Sequence, residues 1–268
     1  MGTTFTPEDV AAFEHATWSR CAPGYEEGFA LLTGDAVDPL LDAAGVTGGT
    51  RLLDVGTGSG VAAAIAQKRG AAVVGIDFSE AMLAEARRTV PSVEFRAASA
   101  DLLPFDDETF DAVVANGVLH HLGRPADALA EARRVLVPGG RIACTVWAAP
   151  ETLEAFGLFF AAVEEHAGAA ELPHGPLFGV TDDETLTSLF TEAGLGDVSI
   201  ETLPTVWEMS SVDILLRAFG TWAQLDAFPV STRQAIEDSV RQGAQAYQTD
   251  SGYAIPNPMV MIAATRSG

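Results

Sequence analysis

Cations are scarce in this chain. Lys68 is its single lysine, and 15 basic residues face 37 acidic ones, a formal net charge of −22 over 268 residues. A field of that sign repels nucleic acid and anionic bilayers, so neither is expected as a partner. Cysteine is scarce too. Cys21 and Cys144 stand far apart with no C-x-x-C spacing, which excludes a disulfide framework and a zinc site. Cys144 lies in the apolar stretch "GRIACTVW" and reads as a buried, inert thiol. The five histidines lack ligand spacing of the HExxH kind, so no metal is expected. No apolar run reaches the roughly 18 residues of a membrane span. The start, "MGTTFTPEDVAAFEHATW", has no basic flank before an apolar core, and a cytoplasmic protein is expected.

An apolar fraction of 48% is enough for a substantial core. From residue 51 to 148, short β-rich runs alternate with helical ones. Strands are expected at 51–55, 71–76, 92–99, 110–119 and 141–148, the last after a "PGG" stop at 138–140. Helices are expected at 59–69, 79–90 and 125–136. Ser79 serves as the cap of the second, and Met82, Leu83 and Ala86 form its apolar face. This alternation predicts a mostly parallel sheet covered by helices on both faces. Beyond residue 150 the pattern becomes helical: 151–167, then 181–195 with Thr181 and Glu184 as a capping pair and Gly194 as the stop, then 211–248. Strands are expected at 197–209 and 259–266.

The stretch "LLDVGTGSGV" places Gly56, Gly58 and Gly60 between a strand and a helix. Such a turn lets backbone approach a ligand where a Cβ would clash. The dinucleotide fingerprint needs its third glycine one residue later, where Val61 stands. Asp54, two residues before Gly56, would oppose a pyrophosphate and favour a ligand bearing an ammonium and a sulfonium. Asp77 ends the second strand, where a carboxylate can accept from both hydroxyls of a ribose, in NAD or in S-adenosylmethionine alike. Asp101 follows the third strand, within reach of an adenine amino group. Asn116 ends the fourth, beside the switch point where open α/β sheets bind ligands.

With "VVGIDFS", "ASADLLPFDDETFDAVVANGVLHHL" and "ALAEARRVLVPGGRI", the chain resembles the class I S-adenosylmethionine-dependent methyltransferases over about residues 50–147. The subgroup that includes ubiquinone- and menaquinone-biosynthesis methyltransferases and small-molecule tailoring enzymes is the nearest in motifs. "WSRCAPGYEEGF" (18–29) resembles its leader helix. The resemblance implies a Rossmann-like seven-stranded sheet with its last strand antiparallel, plus a helical lid. One domain is expected over 1–268: a lid at 1–48, a cofactor-binding core at 49–149, helical insertions and a strand forming an acceptor pocket at 150–250, and a terminal strand at 251–268. Gly56, Gly58 and Asn116 would then face the methionyl end of S-adenosylmethionine, Asp77 the ribose, and Asp101 with Leu102 the adenine, while Tyr25 of the leader would lie near the cofactor. Phe78 and Met82 would pack on the adenine ring, though both also fit as plain core.

Methyl transfer needs orientation, exclusion of water and, for an oxygen or nitrogen acceptor, a base. His120 and His121 follow the fourth strand and are candidates, although "LHHL" also fits a structural turn. His15, with Phe13 and Trp18 on the leader helix, and His174 are further candidates. Among the aromatic residues Phe156, Phe159, Phe160, Phe178, Trp207, Phe219, Trp222 and Phe228, some are expected to line an apolar acceptor pocket. The reading is a small-molecule methyltransferase, monomeric or homodimeric. A cofactor-binding cyclase or binding module of the same fold and an NAD-dependent oxidoreductase are the alternatives.

Overall fold

A computed structural model describes residues 5–168, 175 and 182–268. His174, Phe178 and Thr181 lie outside the described residues. The chain opens with three helices, α1 (Pro7–Cys21), α2 (Phe29–Gly34) and α3 (Val37–Ala43). The alternating core follows: β1 (Arg51–Val55), α4 (Val61–Lys68), β2 (Ala72–Asp77), α5 (Glu80–Thr89), β3 (Glu94–Ala97), β4 (Phe110–Asn116), α6 (Pro125–Val135) and β5 (Leu136–Trp147). Then come α7 (Glu154–Ala167), α8 (Asp183–Glu192), β6 (Leu195–Leu203), β7 (Val206–Met209), α9 (Val212–Trp222) and α10 (Val230–Ala244). The chain closes with β8 (Gln248–Thr249), β9 (Gly252–Pro256) and β10 (Met259–Arg266).

Seven strands form one sheet in the order β3-β2-β1-β4-β5-β10-β6. β10 runs antiparallel to both neighbours, as the resemblance implies, and the five strands from β3 to β5 pair in parallel. Side-chain alternation sorts the central strands onto two cores. Leu52, Ala112, Val114, Ala143 and Ala263 face α3 and α4, whereas Leu53, Val113, Ile142, Cys144 and Ile262 face the opposite side. Both faces being covered, β4 and β5 are apolar nearly throughout instead of alternating. Cys144 is fully buried and its thiol is pushed up by that burial, in keeping with an inert core residue.

Three local expectations are corrected. The strand expected at 197–209 is two strands in two sheets. Pro204 has no N–H to continue the ladder, and β7 pairs instead with β9 in a small β7-β9-β8 sheet that the sequence reading did not foresee. The "PGG" stretch does not precede β5 but lies within it. The register slips there, Phe110 opposing Leu136 and Ala112 opposing Arg141, so a bulge absorbs the extra residues. Helix α8 is capped by Asp182, whose side chain accepts from the Thr185 N–H at 2.8 Å.

Gly75 on β2 is where the sheet is tightest. A Cβ there would stand 2.7 Å from the Phe95 ring on β3 and 2.9 Å from the Thr57 hydroxyl. Gly75→Ala is expected to lower stability by about 1–3 kcal/mol, the usual cost of overpacking. The midpoint of urea unfolding checks this; an unchanged midpoint would mean that Phe95 turns aside freely.

Candidate functional site

The glycine turn is built on backbone that only glycine adopts easily. Gly56, Gly58 and Gly60 have φ of 64°, 55° and 89°. Below the turn, the Asp54 carboxylate accepts from the Thr57 hydroxyl at 2.7 Å. Above it, Asp77 accepts from the Gly58 N–H at 3.0 Å through one oxygen and from the Ser79 N–H at 2.9 Å through the other. One carboxylate thus ties the turn after β1 to the start of α5, where Ser79 in turn caps the helix by accepting from the Met82 N–H. Burial pushes Asp77 up to about 6, against the pull of the two N–H donors. Burial likewise pushes Asp54 up to about 7; the Thr57 hydroxyl opposes that rise and neighbouring Asp77 adds to it.

A cavity of about 340 Å³ opens above this turn. Of the residues singled out from sequence, the structure brings Tyr25, Gly56, Gly58, Asp77, Phe78, Met82, Asp101, Asn116, His15 and His121 to its wall. A Cβ on Gly58 would lie 3.7 Å from the Tyr25 ring and fill the gap between turn and ring. Asn116 is fixed from both sides: its amide donates to the Thr33 carbonyl at 3.0 Å and accepts from the Thr145 hydroxyl at 2.7 Å. Asp101 accepts from the Ser99 hydroxyl at 2.5 Å and has Arg124 at 3.8 Å.

Three expected residues are placed elsewhere. Asp54 is buried beneath the turn, engaged with Thr57, and is absent from the cavity wall. Leu102 turns its side chain to solvent, 76% exposed, and its N–H donates to the Ser99 carbonyl. His120 is buried behind the wall between His121 and Trp147, with ring centroids at 4.1 and 5.5 Å, and burial holds its pKa well below the ordinary value. Within "LHHL" the tandem therefore splits: His121 faces the cavity and His120 does not.

The far end of the cavity is aromatic. Trp18, Trp147, Phe156, Phe160, Phe219 and Trp222 line it, while Phe159 and Trp207 are wholly buried core. The sequence reading missed Glu14. This residue of α1 is 2% exposed and lines the cavity. Its Oε2 accepts from the Trp18 indole N–H at 2.9 Å and lies 3.1 Å from His121 Nδ1. The spacing of Val10, Glu14, Thr17 and Cys21 places them on one helical stripe, and in the structure all four are buried. Helix α1 is held over the cavity by three ties: Arg20 donates to the carbonyls of Thr221 and Trp222, the Ser19 and Ser79 hydroxyls bond at 3.0 Å, and Glu8 pairs with Arg124.

The buried acids set a pH dependence. The ordinary value for Asp54 is 3.8 and the folded value is about 7, so the folded chain holds a proton that the unfolded chain releases. Its contribution to stability is greatest below about pH 4 and is lost as pH rises through about 7. Asp54→Asn has no such proton to lose. Its stability relative to the parent is expected to rise by a few kcal/mol between those limits and then level off. Thermal unfolding of both proteins from pH 4 to pH 8 checks this; a difference that does not change with pH would refute the assignment.

A family model described as a methyltransferase domain matches residues 53–144. The demethylmenaquinone methyltransferase of Clavibacter sepedonicus is 32% identical over 210 residues, which is 73% of this chain and 83% of that protein. Among solved structures, phosphoethanolamine N-methyltransferase 2 of Haemonchus contortus, in complex with S-adenosyl-L-methionine, is 20% identical with a TM-score of 0.55, over 87% of this chain and 52% of that one. The [4+2]-cyclase SpnF is 22% identical with a TM-score of 0.57, over 88% of this chain and 81% of that one. At such identities the structural likeness carries the fold alone. The sequence match carries more: the chain belongs to the class I S-adenosylmethionine-dependent methyltransferases.

Proposed function

We propose that this protein transfers a methyl group from S-adenosylmethionine to a small, apolar, aromatic metabolite. One observation carries the reading. A single cavity has a glycine-and-acid end, with Gly56, Gly58, Asp77, Asp101 and Asn116, and an aromatic end, with Trp18, Trp147, Phe156, Phe160, Phe219 and Trp222. The first end suits the cofactor. The gap that a Gly58 Cβ would fill admits the methionyl part, beside Tyr25 and Asn116. The Asp77 carboxylate has lone pairs beyond its two backbone donors to accept from ribose hydroxyls. Asp101 takes the adenine amino group, and Phe78 and Met82 pack on the ring. S-adenosylmethionine supplies an activated methyl on a sulfonium. The protein's part is to orient both partners and exclude water.

The aromatic end suits an apolar ring. The Clavibacter relative is named for demethylmenaquinone, which supports an acceptor of quinone type. We assign the base to His121. It lies on the wall, with Nδ1 beside Glu14, which leaves Nε2 to take a proton from the acceptor. His15, exposed at the rim against Phe78, is placed to contact the cofactor end instead.

Two experiments test this. S-adenosylmethionine with an isotopically heavy methyl, incubated with the protein and a panel of phenols and quinols, is expected to give a product carrying the label by mass spectrometry. Bound cofactor with no labelled product, from the panel or from cell extract, would favour a non-methylating cyclase or binding module. Asp77→Asn is expected to weaken S-adenosylmethionine binding about tenfold, the worth of a charge-assisted hydrogen bond. Unchanged affinity by calorimetry would remove Asp77 from the ribose.

A further inference from the structure

Glu14 has one oxygen more than the protein uses. Oε2 accepts from the Trp18 N–H and lies 3.1 Å from His121 Nδ1, but Oε1 is buried and accepts from no donor among the described residues. A buried carboxylate oxygen left without a donor is costly, so a helix keeping one on its buried face calls for a reason. Glu14 lines the cavity at its aromatic end, beside His121 and below Trp18. Of the indole N–H groups lining that end, Trp18 donates to the other oxygen, Oε2, and none reaches Oε1.

We infer that Glu14 Oε1 is the recognition point for the methyl acceptor, and that the acceptor is an aromatic compound with a hydroxyl that donates to it. This rests on the methyl-transfer reading for the word acceptor, but the binding itself does not. A hydroxyl fits better than an ammonium. A buried carboxylate pairing with an ammonium holds the proton on nitrogen and keeps the lone pair from reacting. A hydroxyl, by contrast, gains a charge-assisted bond and leaves the ring electron-rich; it serves recognition, and the proton that His121 takes comes from the atom that is methylated. Glu14 therefore has two tasks through its two oxygens. Oε2 positions His121, with the Trp18 N–H fixing the carboxylate, and Oε1 selects acceptors that carry a donor.

The test is a discrimination ratio. Binding of 2-naphthol, 2-methoxynaphthalene and 2-naphthylmethylammonium to the full chain, with S-adenosylhomocysteine present, is read from tryptophan fluorescence. The parent is expected to bind 2-naphthol about tenfold more tightly than the methoxy compound, whose oxygen cannot donate. That ratio is expected to shrink in Glu14→Gln and to approach one in Glu14→Leu, an apolar substitute for a buried site. If Glu14→Leu fails to fold, the ratio in Glu14→Gln decides. A ratio near one in the parent, a ratio unchanged in the variants, or tightest binding of the ammonium would each overturn the inference. Heavy-methyl transfer scored alongside separates the two readings. Discrimination without transfer, for any phenol, sinks the methyltransferase assignment and keeps the role of Glu14; transfer without discrimination does the reverse.

Discussion

The Asp77 carboxylate is the point on which the site hangs. Its two oxygens take the Gly58 and Ser79 N–H groups, so one side chain fixes the turn after β1 and the first turn of α5 against each other. Both segments leave the carboxyl ends of neighbouring parallel strands, β1 and β2, where open α/β sheets bind ligands. Burial opposes this arrangement, as the rise of Asp77 to about 6 records. Donors and positive charge from a ligand relieve that opposition. The position is therefore held at some expense by the free protein and favoured by the loaded one.

The aromatic end depends on a different kind of constraint. No single strand end supplies it. Glu14 and Trp18 come from α1, His121 follows β4, Trp147 closes β5, and the remaining rings come from α7 and α9. Their assembly requires α1 to be seated, which Arg20 accomplishes by donating to two carbonyls at the end of α9, where the helix dipole welcomes a cation. The glycine-and-acid end is thus set by the sheet, and the aromatic end by helices packed over it. Loss of an α1 tie should disturb the second far more than the first.

That division also explains what could be read in the sequence. Gly56, Gly58 and Gly60 were legible because their positive φ leaves few other residues usable, and Asp77 because it follows a strand at a fixed distance from them. Strands β1, β2, β4 and β5 were legible from apolar runs that both faces of a covered sheet demand, and the edge strand β3 from the short run around Phe95. The small β7-β9-β8 sheet was not. Its strands are two to five residues long, and the Pro204 break between β6 and β7 is no stronger than an ordinary turn signal. Glu14 was hidden differently. An acid on an amphipathic helix reads as a solvated face, and only the pairing with Trp18 and His121, four residues and more than a hundred residues away, shows that its stripe is buried. Of "LHHL", sequence gives two equal histidines. The short 3₁₀ turn at Leu119–His121 buries one and presents the other.

Charge then links binding to turnover. Asp77 and Glu14 on the cavity wall, with Asp54 beneath the turn, are buried in a chain already at −22, and burial removes them from the screening that salt gives surface acids. A cavity of that sign favours a cationic ligand over a neutral one of the same shape. On the proposed reaction, the cofactor enters with a sulfonium and leaves as a thioether, so these acids hold it less tightly after transfer than before. On the same proposal Asp77 still keeps the ribose, and Asn116 and the glycine turn still face the methionyl part. The charge term alone changes. On that reaction the carboxylates that burden the folded chain are also those that favour the fresh cofactor over the spent one.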